Sequence, residues 1–149
     1  MEIRSIEFGS PEYEQSLALR NHVLRCPLGL DVYAEDLALE RDQWHFVLED
    51  NGTIVGCVLA VPKSKGHAKL RQMAIAAERQ RQGLGRQLLT NVELHLALRG
   101  IRTVELAARQ QAIEFYLRLD YQRVGEEFIE VGIPHCQMVK TLARRPHQP

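Results

Sequence analysis

A chain of 149 residues with 45% hydrophobic side chains has enough apolar mass for one packed domain and argues against disorder. Its 19 Lys and Arg offset 19 Asp and Glu, so net charge supplies no drive toward nucleic acid. Cys26, Cys57 and Cys136 are odd in number and form no Cys-x-x-Cys pair, which argues against a disulfide framework or a zinc site. No metal is expected, and a reducing, cytoplasmic setting fits this cysteine usage.

The first residues, Met1-Glu2-Ile3-Arg4-Ser5-Ile6-Glu7, carry no apolar signal-peptide core, and no apolar run approaches membrane-spanning length. Ile3, Ile6 and Phe8 predict a first strand, stopped by Gly9-Ser10-Pro11. Ser10 is placed to cap a helix with Pro11 in its first position. That helix is expected to reach Arg25, burying Leu17, Val23 and Leu24, before Pro27 and Gly29 break it. Asp31 is expected to cap a second short helix holding Leu37 and Leu39.

A hairpin follows: strand 44–49, the turn Asp50-Asn51-Gly52, and strand 53–61. Residues 62–66 read as a turn and 67–75 as a strand. Leu84, Leu88, Val92 and Leu96, spaced by four, predict a helix that Gly100 ends. Residues 103–107 read as a strand and 110–119 as a short helix. Two closing strands, 121–131 and 136–142, are expected to join through Gly132-Ile133-Pro134. Residues 143–149 read as a frayed polar tail after a single domain, 1–142. The order β-α-α-β-β-β-α-β-α-β-β predicts an α/β (α+β) fold with one mixed sheet flanked by helices.

The informative stretch is Gln80-Arg81-Gln82-Gly83-Leu84-Gly85-Arg86, between a strand ending Met73-Ala74-Ile75 and a helix. Amides at a helix N-terminus have no intrahelical partner, and the helix dipole adds positive charge there. Glycine lets a phosphate approach such a backbone closely, and Arg81 and Arg86 add formal charge. The stretch reads as a pyrophosphate cradle. It does not match Walker A. As a Rossmann fingerprint it places Leu88 where helix and strand must pack closely, although Glu105 stands where an acid would hold a ribose.

Gln80-Arg81-Gln82-Gly83-Leu84-Gly85 resembles the Gln/Arg-x-x-Gly-x-Gly/Ala signature of the GNAT superfamily of N-acetyltransferases. Downstream, residues 111–121 (QAIEFYLRLDY) resemble that family's Asn-x-x-Ala-x-x-Phe-Tyr-x-x-x-Gly-Phe segment. Gln110 or Gln111 stands for the usual Asn, and Asp120 for the usual Gly. The segment 125–135 resembles small bacterial members of the ElaA and YjcF type. The element order fits from end to end, which implies a mostly antiparallel GNAT sheet.

The resemblance implies acetyl transfer from acetyl-CoA, as cosubstrate, to an amine of a small molecule or peptide. Gln80, Arg81, Gln82, Gly83, Leu84, Gly85 and Arg86 would hold the pyrophosphate, with Gln111 also on the cofactor side. Main-chain groups of Met73, Ala74 and Ile75 would pair with the pantetheine arm, as in β-augmentation. Tyr116 matches the family's tyrosine near the sulfur and would act as general acid, against a plain reading as a core aromatic. The family's strand glutamate falls on Lys69, which cannot be a base. His135, His45, His67 and Glu105 are the candidate substitutes, His135 first because it borders the last hairpin. A water chain, or an acceptor that arrives neutral, would remove the need for any of them. Arg79 is either a contact for the 3′-phosphate or solvated. The acidic set Asp31, Glu35, Asp36 and Glu40 either attracts a cationic acceptor or forms an exposed helix face. Homodimers are common in such a family, and no nucleic-acid or membrane partner is implied. A non-catalytic acyl-CoA-binding module is the alternative reading.

Overall fold

The computed structural model describes residues 1–142, so the predicted tail at 143–149 lies outside the described residues. The strands are β1 (Glu2–Ile6), β2 (Trp44–Asp50), β3 (Thr53–Pro62), β4 (His67–Ile75), β5 (Thr103–Arg109), β6 (Gln122–Glu130) and β7 (Ile133–Thr141). The α-helices are α1 (Pro11–Arg20), α2 (Leu84–Leu98) and α3 (Ile113–Leu117). All seven strands form one sheet in the order β1-β2-β3-β4-β5-β7-β6. The pairs β1–β2, β2–β3, β5–β7 and β6–β7 are antiparallel, and β4–β5 is parallel.

The described residues divide into two compact units, Met1–Val61 with Arg71–Leu94, and Pro62–Leu70 with 95–142. In the first unit, Ser10 caps α1 as predicted: its side chain accepts from the Tyr13 amide at 3.1 Å, and Pro11 opens the helix. The α-helix stops at Arg20, five residues earlier than predicted. The chain continues through a π-helical turn (Asn21–Arg25) and a 3₁₀ turn (Cys26–Leu28), and Gly29 at φ +71° ends the run. Leu17 is buried, whereas Val23 and Leu24 are only half-buried. In place of the second helix there are two 3₁₀ turns. Asp31 caps Val32–Ala34 and Asp36 caps Leu37–Asp42. Their side chains bond amides two residues on, which favours tight turns over a helix.

The β2–β3 turn holds Asn51 at φ +51° and Gly52 at φ +81°, the two left-handed centres that a two-residue hairpin requires. The Ala76 amide donates to the Val55 carbonyl at 2.8 Å, carrying the chain past the end of β4. In α2, Leu84, Leu88 and Val92 fall on the buried stripe, each at 5% exposure or less. Burying a leucine contributes about 1.5–3 kcal/mol, so this stripe holds the helix against the apolar layer around β3. Gly56 on β3 marks close packing there: a Cβ would lie 2.9 Å from Ile75 Cδ1 and 3.4 Å from Leu88 Cδ2.

In the second unit, the predicted helix at 110–119 is a 3₁₀ turn (Gln110–Ala112) running into the five-residue α3. The β6–β7 turn falls at Val131 (φ +46°) and Gly132 (φ +78°), not at residues 132–134. The two-residue hairpin geometry therefore draws Ile133 and Pro134 into β7. Every residue of β6 is exposed. Among the described residues no helix is long and apolar enough to cross a membrane.

Candidate active site

The first unit carries the cradle. The Gln87 amide donates to the Gly83 carbonyl at 3.1 Å, which makes Gly83 the residue that opens α2. The amides of Leu84, Gly85 and Arg86 precede the first intrahelical bond, so the helix itself offers them no acceptor. Gly83 has φ +78°, and a Cβ built there meets nothing within 4 Å among the described residues. Arg81, also left-handed at φ +64°, is exposed, as are Gln82 and Arg86. Alternating backbone hands turn successive amides toward one concavity, the geometry of an anion-binding nest. The residues fit a pyrophosphate: free amides, open space over a glycine, and two exposed guanidinium groups on the rim.

Gln80, the first residue of the signature, has a separate task. Its Nε2 donates to the Ile75 carbonyl at 3.0 Å, tying the loop to the end of β4. The structure thus brings Met73, Ala74 and Ile75 together with the cradle in one unit. The β4–β5 ladder runs from His67↔Thr103 to Leu70↔Leu106 and ends before Met73. Gln72, just ahead, stands at φ +56° in mid-strand.

Arg79 is partly exposed and carries two side-chain partners. Its Nη1 pairs with Asp50 Oδ2 at 2.9 Å, and its Nε donates to Gln82 Oε1 at 3.3 Å. The acidic set is not one helix face. Asp31 and Asp36 cap turns, Glu35 accepts from Arg25 Nε at 2.6 Å, and Glu40 is buried against Arg20. Asp31, Glu35 and Asp36 are exposed and Glu40 is buried, so the set is not one exposed helix face. Glu40 also accepts from the Tyr13 hydroxyl at 2.8 Å, and its backbone carbonyl accepts from His45 Nε2 at 2.8 Å. Burial opposes charge on Glu40, but the Arg20 fork outweighs it and holds the carboxyl below its usual range. Burial pushes the His45 imidazole down, so at neutral pH this ring is an uncharged donor within the cluster. Cys57 is buried and its thiol is pushed up to about 12, which leaves it an inert core residue.

The second unit holds Tyr116, Gln111 and His135. Tyr116 lies on α3 at 9% exposure, its ring edge-on to Phe115 at 5.0 Å and to Tyr121 at 5.6 Å. Burial pushes its phenol up to about 12. The packing is that of a core aromatic, and a buried phenol that keeps its proton can also donate it. Asp120 sits at φ +72°, which explains why this position of the resembled segment favours glycine. Gln111 is exposed in the 3₁₀ turn before α3.

His135 is buried on β7, its ring stacked on Phe128 at 5.9 Å. Nδ1 donates to the Ile133 carbonyl at 2.9 Å, and Nε2 lies 3.8 Å from Glu130 Oε2. His67 and Glu105 are in contact: His67 Nε2 is 3.0 Å from Glu105 Oε1, and Gln137 Nε2 donates to Glu105 Oε2 at 2.6 Å. Burial would raise the Glu105 carboxyl, but the His67 bond and the nearby Lys63 and Lys69 charges hold it low, which makes it a poor base. Among the described residues no group of three or more His, Cys, Asp or Glu could hold a metal ion.

Sequence reasoning missed Arg20, Gln72 and Asp50. Arg20 carried a signal, since Tyr13, Leu17 and Arg20 share a helical face. The left-handed backbone at Gln72 carried none.

A helix terminus whose first amides have no acceptor within the helix, next to the end of β4, is chemically suited to a phosphate-bearing cofactor. A family model described as an acetyltransferase (GNAT) domain matches residues 25–142, and the chain belongs to that family. It is an acyltransferase whose cosubstrate is acetyl-CoA. The Bacillus subtilis (strain 168) protein YyaT is 36% identical over 115 residues, 76% of each chain. The YjcF N-acetyltransferase of the same organism is 32% identical over 103 residues, 68% of this chain and 73% of its own. Among solved structures, an aminoglycoside 6′-N-acetyltransferase complexed with coenzyme A has a TM-score of 0.79 at 21% identity, covering 98% of this chain and 99% of that one. Escherichia coli ElaA has a TM-score of 0.78 at 18% identity, covering 94% and 99%. The ElaA and YjcF resemblance thus holds, and the fold is that of these neighbours.

Proposed function

We propose that this protein transfers the acetyl group of acetyl-CoA to the amine of a small molecule or peptide by direct attack within a ternary complex. The observation that carries the reading is the opening of α2. Gly83 at φ +78° leaves open space where the amides of Leu84, Gly85 and Arg86 have no acceptor within the helix. Arg81, Gln82 and Arg86 complete the pyrophosphate site. The main chain of Met73, Ala74 and Ile75 pairs with the pantetheine arm, and an amide there polarises the thioester carbonyl as negative charge develops on its oxygen.

Two protons must move. An alkylammonium acceptor has a pKa near 10 and must shed one before attack. His135 is suited to take it: with Nδ1–H donated to Ile133, the neutral ring presents Nε2 as its basic nitrogen, and Glu130 faces the cation that results. Tyr116 then donates its phenolic proton to the departing CoA sulfur. Gln111 belongs to the cofactor side by family resemblance.

One observation favours a second reading, a non-catalytic acyl-CoA-binding module. Lys69 takes the place of a strand glutamate and lies opposite Glu105 in the β4–β5 register. Acetyl-CoA consumption with a panel of primary amines, run with Tyr116→Phe alongside, tests both. Turnover that falls in the variant supports the enzyme reading. CoA binding with no turnover on any amine supports the module.

A further inference from the structure

Arg20 is 2% exposed, the most deeply buried charge among the described residues. Its fork is fully engaged: Nη1 donates to Glu40 Oε1 at 2.8 Å and Nη2 to Glu40 Oε2 at 2.6 Å. The third donor, Nε, reaches Gln72 Oε1 at 2.8 Å. A guanidinium is planar, so fixing two of its nitrogens on one carboxylate also fixes where the third points. Glu40 is itself held by Tyr13 and His45, which leaves the fork no freedom to turn.

Gln72 stands in the middle of β4 at φ +56°. A residue with a side chain rarely occupies that region, and never at low cost inside a strand. Such a residue re-aims the chain after it, as in a β-bulge. The chain re-aimed here is Met73, Ala74 and Ile75. The far end of that short segment is pinned too, by Gln80 Nε2 on the Ile75 carbonyl at 3.0 Å. Two glutamine side chains thus bracket three residues, and the first is gripped by a buried arginine.

We propose that Arg20 is a positioning residue for acetyl-CoA: through Gln72 it holds β4 in the left-handed conformation that aims the main chain of Met73, Ala74 and Ile75 at the pantetheine arm. This inference rests on the reading that this segment carries pantetheine. Its alternative is that Gln72 serves only to satisfy a buried Arg20 donor.

Gln72→Ala and Gln72→Gly separate the two. Both remove the acceptor of Arg20 Nε, but only glycine adopts a positive φ freely. Coenzyme A affinity by calorimetry and ligand-free thermal unfolding are measured for the wild type, both variants and Gln72→Asn. Asparagine tolerates the left-handed region, so that variant supplies a folded comparator. The expected result is a loss of affinity of about tenfold in Gln72→Ala, with most of it recovered in Gln72→Gly and Gln72→Asn. Equal weakening in the alanine and glycine variants, or no weakening in either, overturns the proposal. A wild type that binds no coenzyme A overturns the underlying reading instead, and that arm is read without any variant.

Discussion

Arg79 Nη1 lies 2.9 Å from Asp50 Oδ2, so the turn between β2 and β3 is tied to the residue just ahead of the phosphate loop. The same guanidinium reaches Gln82 inside the loop. Arg79 is thus placed to hold the shape of the loop. Both partners are about a quarter exposed, and such a pair contributes about 1 kcal/mol at most. Arg79→Ala is expected to weaken acetyl-CoA and its analogue lacking the 3′-phosphate by the same factor, up to about fivefold. Parallel titrations check this. A loss confined to the phosphorylated ligand would show direct contact with the 3′-phosphate.

Gly83→Val closes the open space at the start of α2 and forces a β-branched residue to φ +78°. Coenzyme A affinity should fall by at least about tenfold, since the hydrogen bonds that a helix N-terminus gives to phosphate are charge-assisted. Calorimetry reads this directly. Unchanged affinity would place the pyrophosphate elsewhere.

Tyr116→Phe keeps the ring packing on Tyr121 and removes one proton. General acid catalysis contributes about 10²–10⁴-fold, so kcat should fall by about a hundredfold or more with coenzyme A affinity unchanged. Because the phenol is pushed up to about 12, the acid keeps its proton throughout the ordinary working range. A rate profile to pH 10 should show no falling basic limb from this group.

His135→Asn should lower turnover at neutral pH and recover as the pH approaches that of the free acceptor amine, near 10, where no base is needed. Glu105→Gln, by contrast, should leave the pH profile unchanged, because Glu105 is occupied by His67 and Gln137. A profile that shifts with Glu105 and not with His135 would reverse the assignment.

Glu40 supplies a stability test. Its folded carboxyl is held below the ordinary 4.5 by Arg20, so the unfolded chain binds its proton first as pH falls. Its stabilisation is complete above that ordinary value and is lost as pH drops through the lower, folded one. Glu40→Gln should remove this acid-limb dependence and destabilise at neutral pH by about 3–5 kcal/mol, because Arg20 is left buried without a counter-charge. Urea unfolding at pH 7 and pH 4 checks both.

Much of the fold was legible because local chemistry and packing agree. Ser10-Pro11 caps a helix, Asn51-Gly52 turns a hairpin, and Leu84, Leu88 and Val92 draw one buried stripe. The misses have physical causes. Asp31 carries a helix-start signal, but it caps only the three residues Val32–Ala34, and Asp36 starts a separate 3₁₀ segment, Leu37–Asp42. Val131 disfavours a positive φ, so nothing in its residue type announced the β6–β7 turn. The proposed cradle could be singled out from spacing because its backbone and glycine groups follow one another in the chain. The partners of Arg20, Arg79 and Glu105 could not, since each joins residues far apart in the chain.

Thermal unfolding with acetyl-CoA, coenzyme A or NAD in separate samples tests the central claim most directly. A ligand at 100 times its dissociation constant adds about 2.7 kcal/mol, a rise of roughly 5–10 °C for a chain of this size. That rise is expected with acetyl-CoA and coenzyme A and not with NAD. A rise with NAD alone, or with no ligand at saturation, would contradict it.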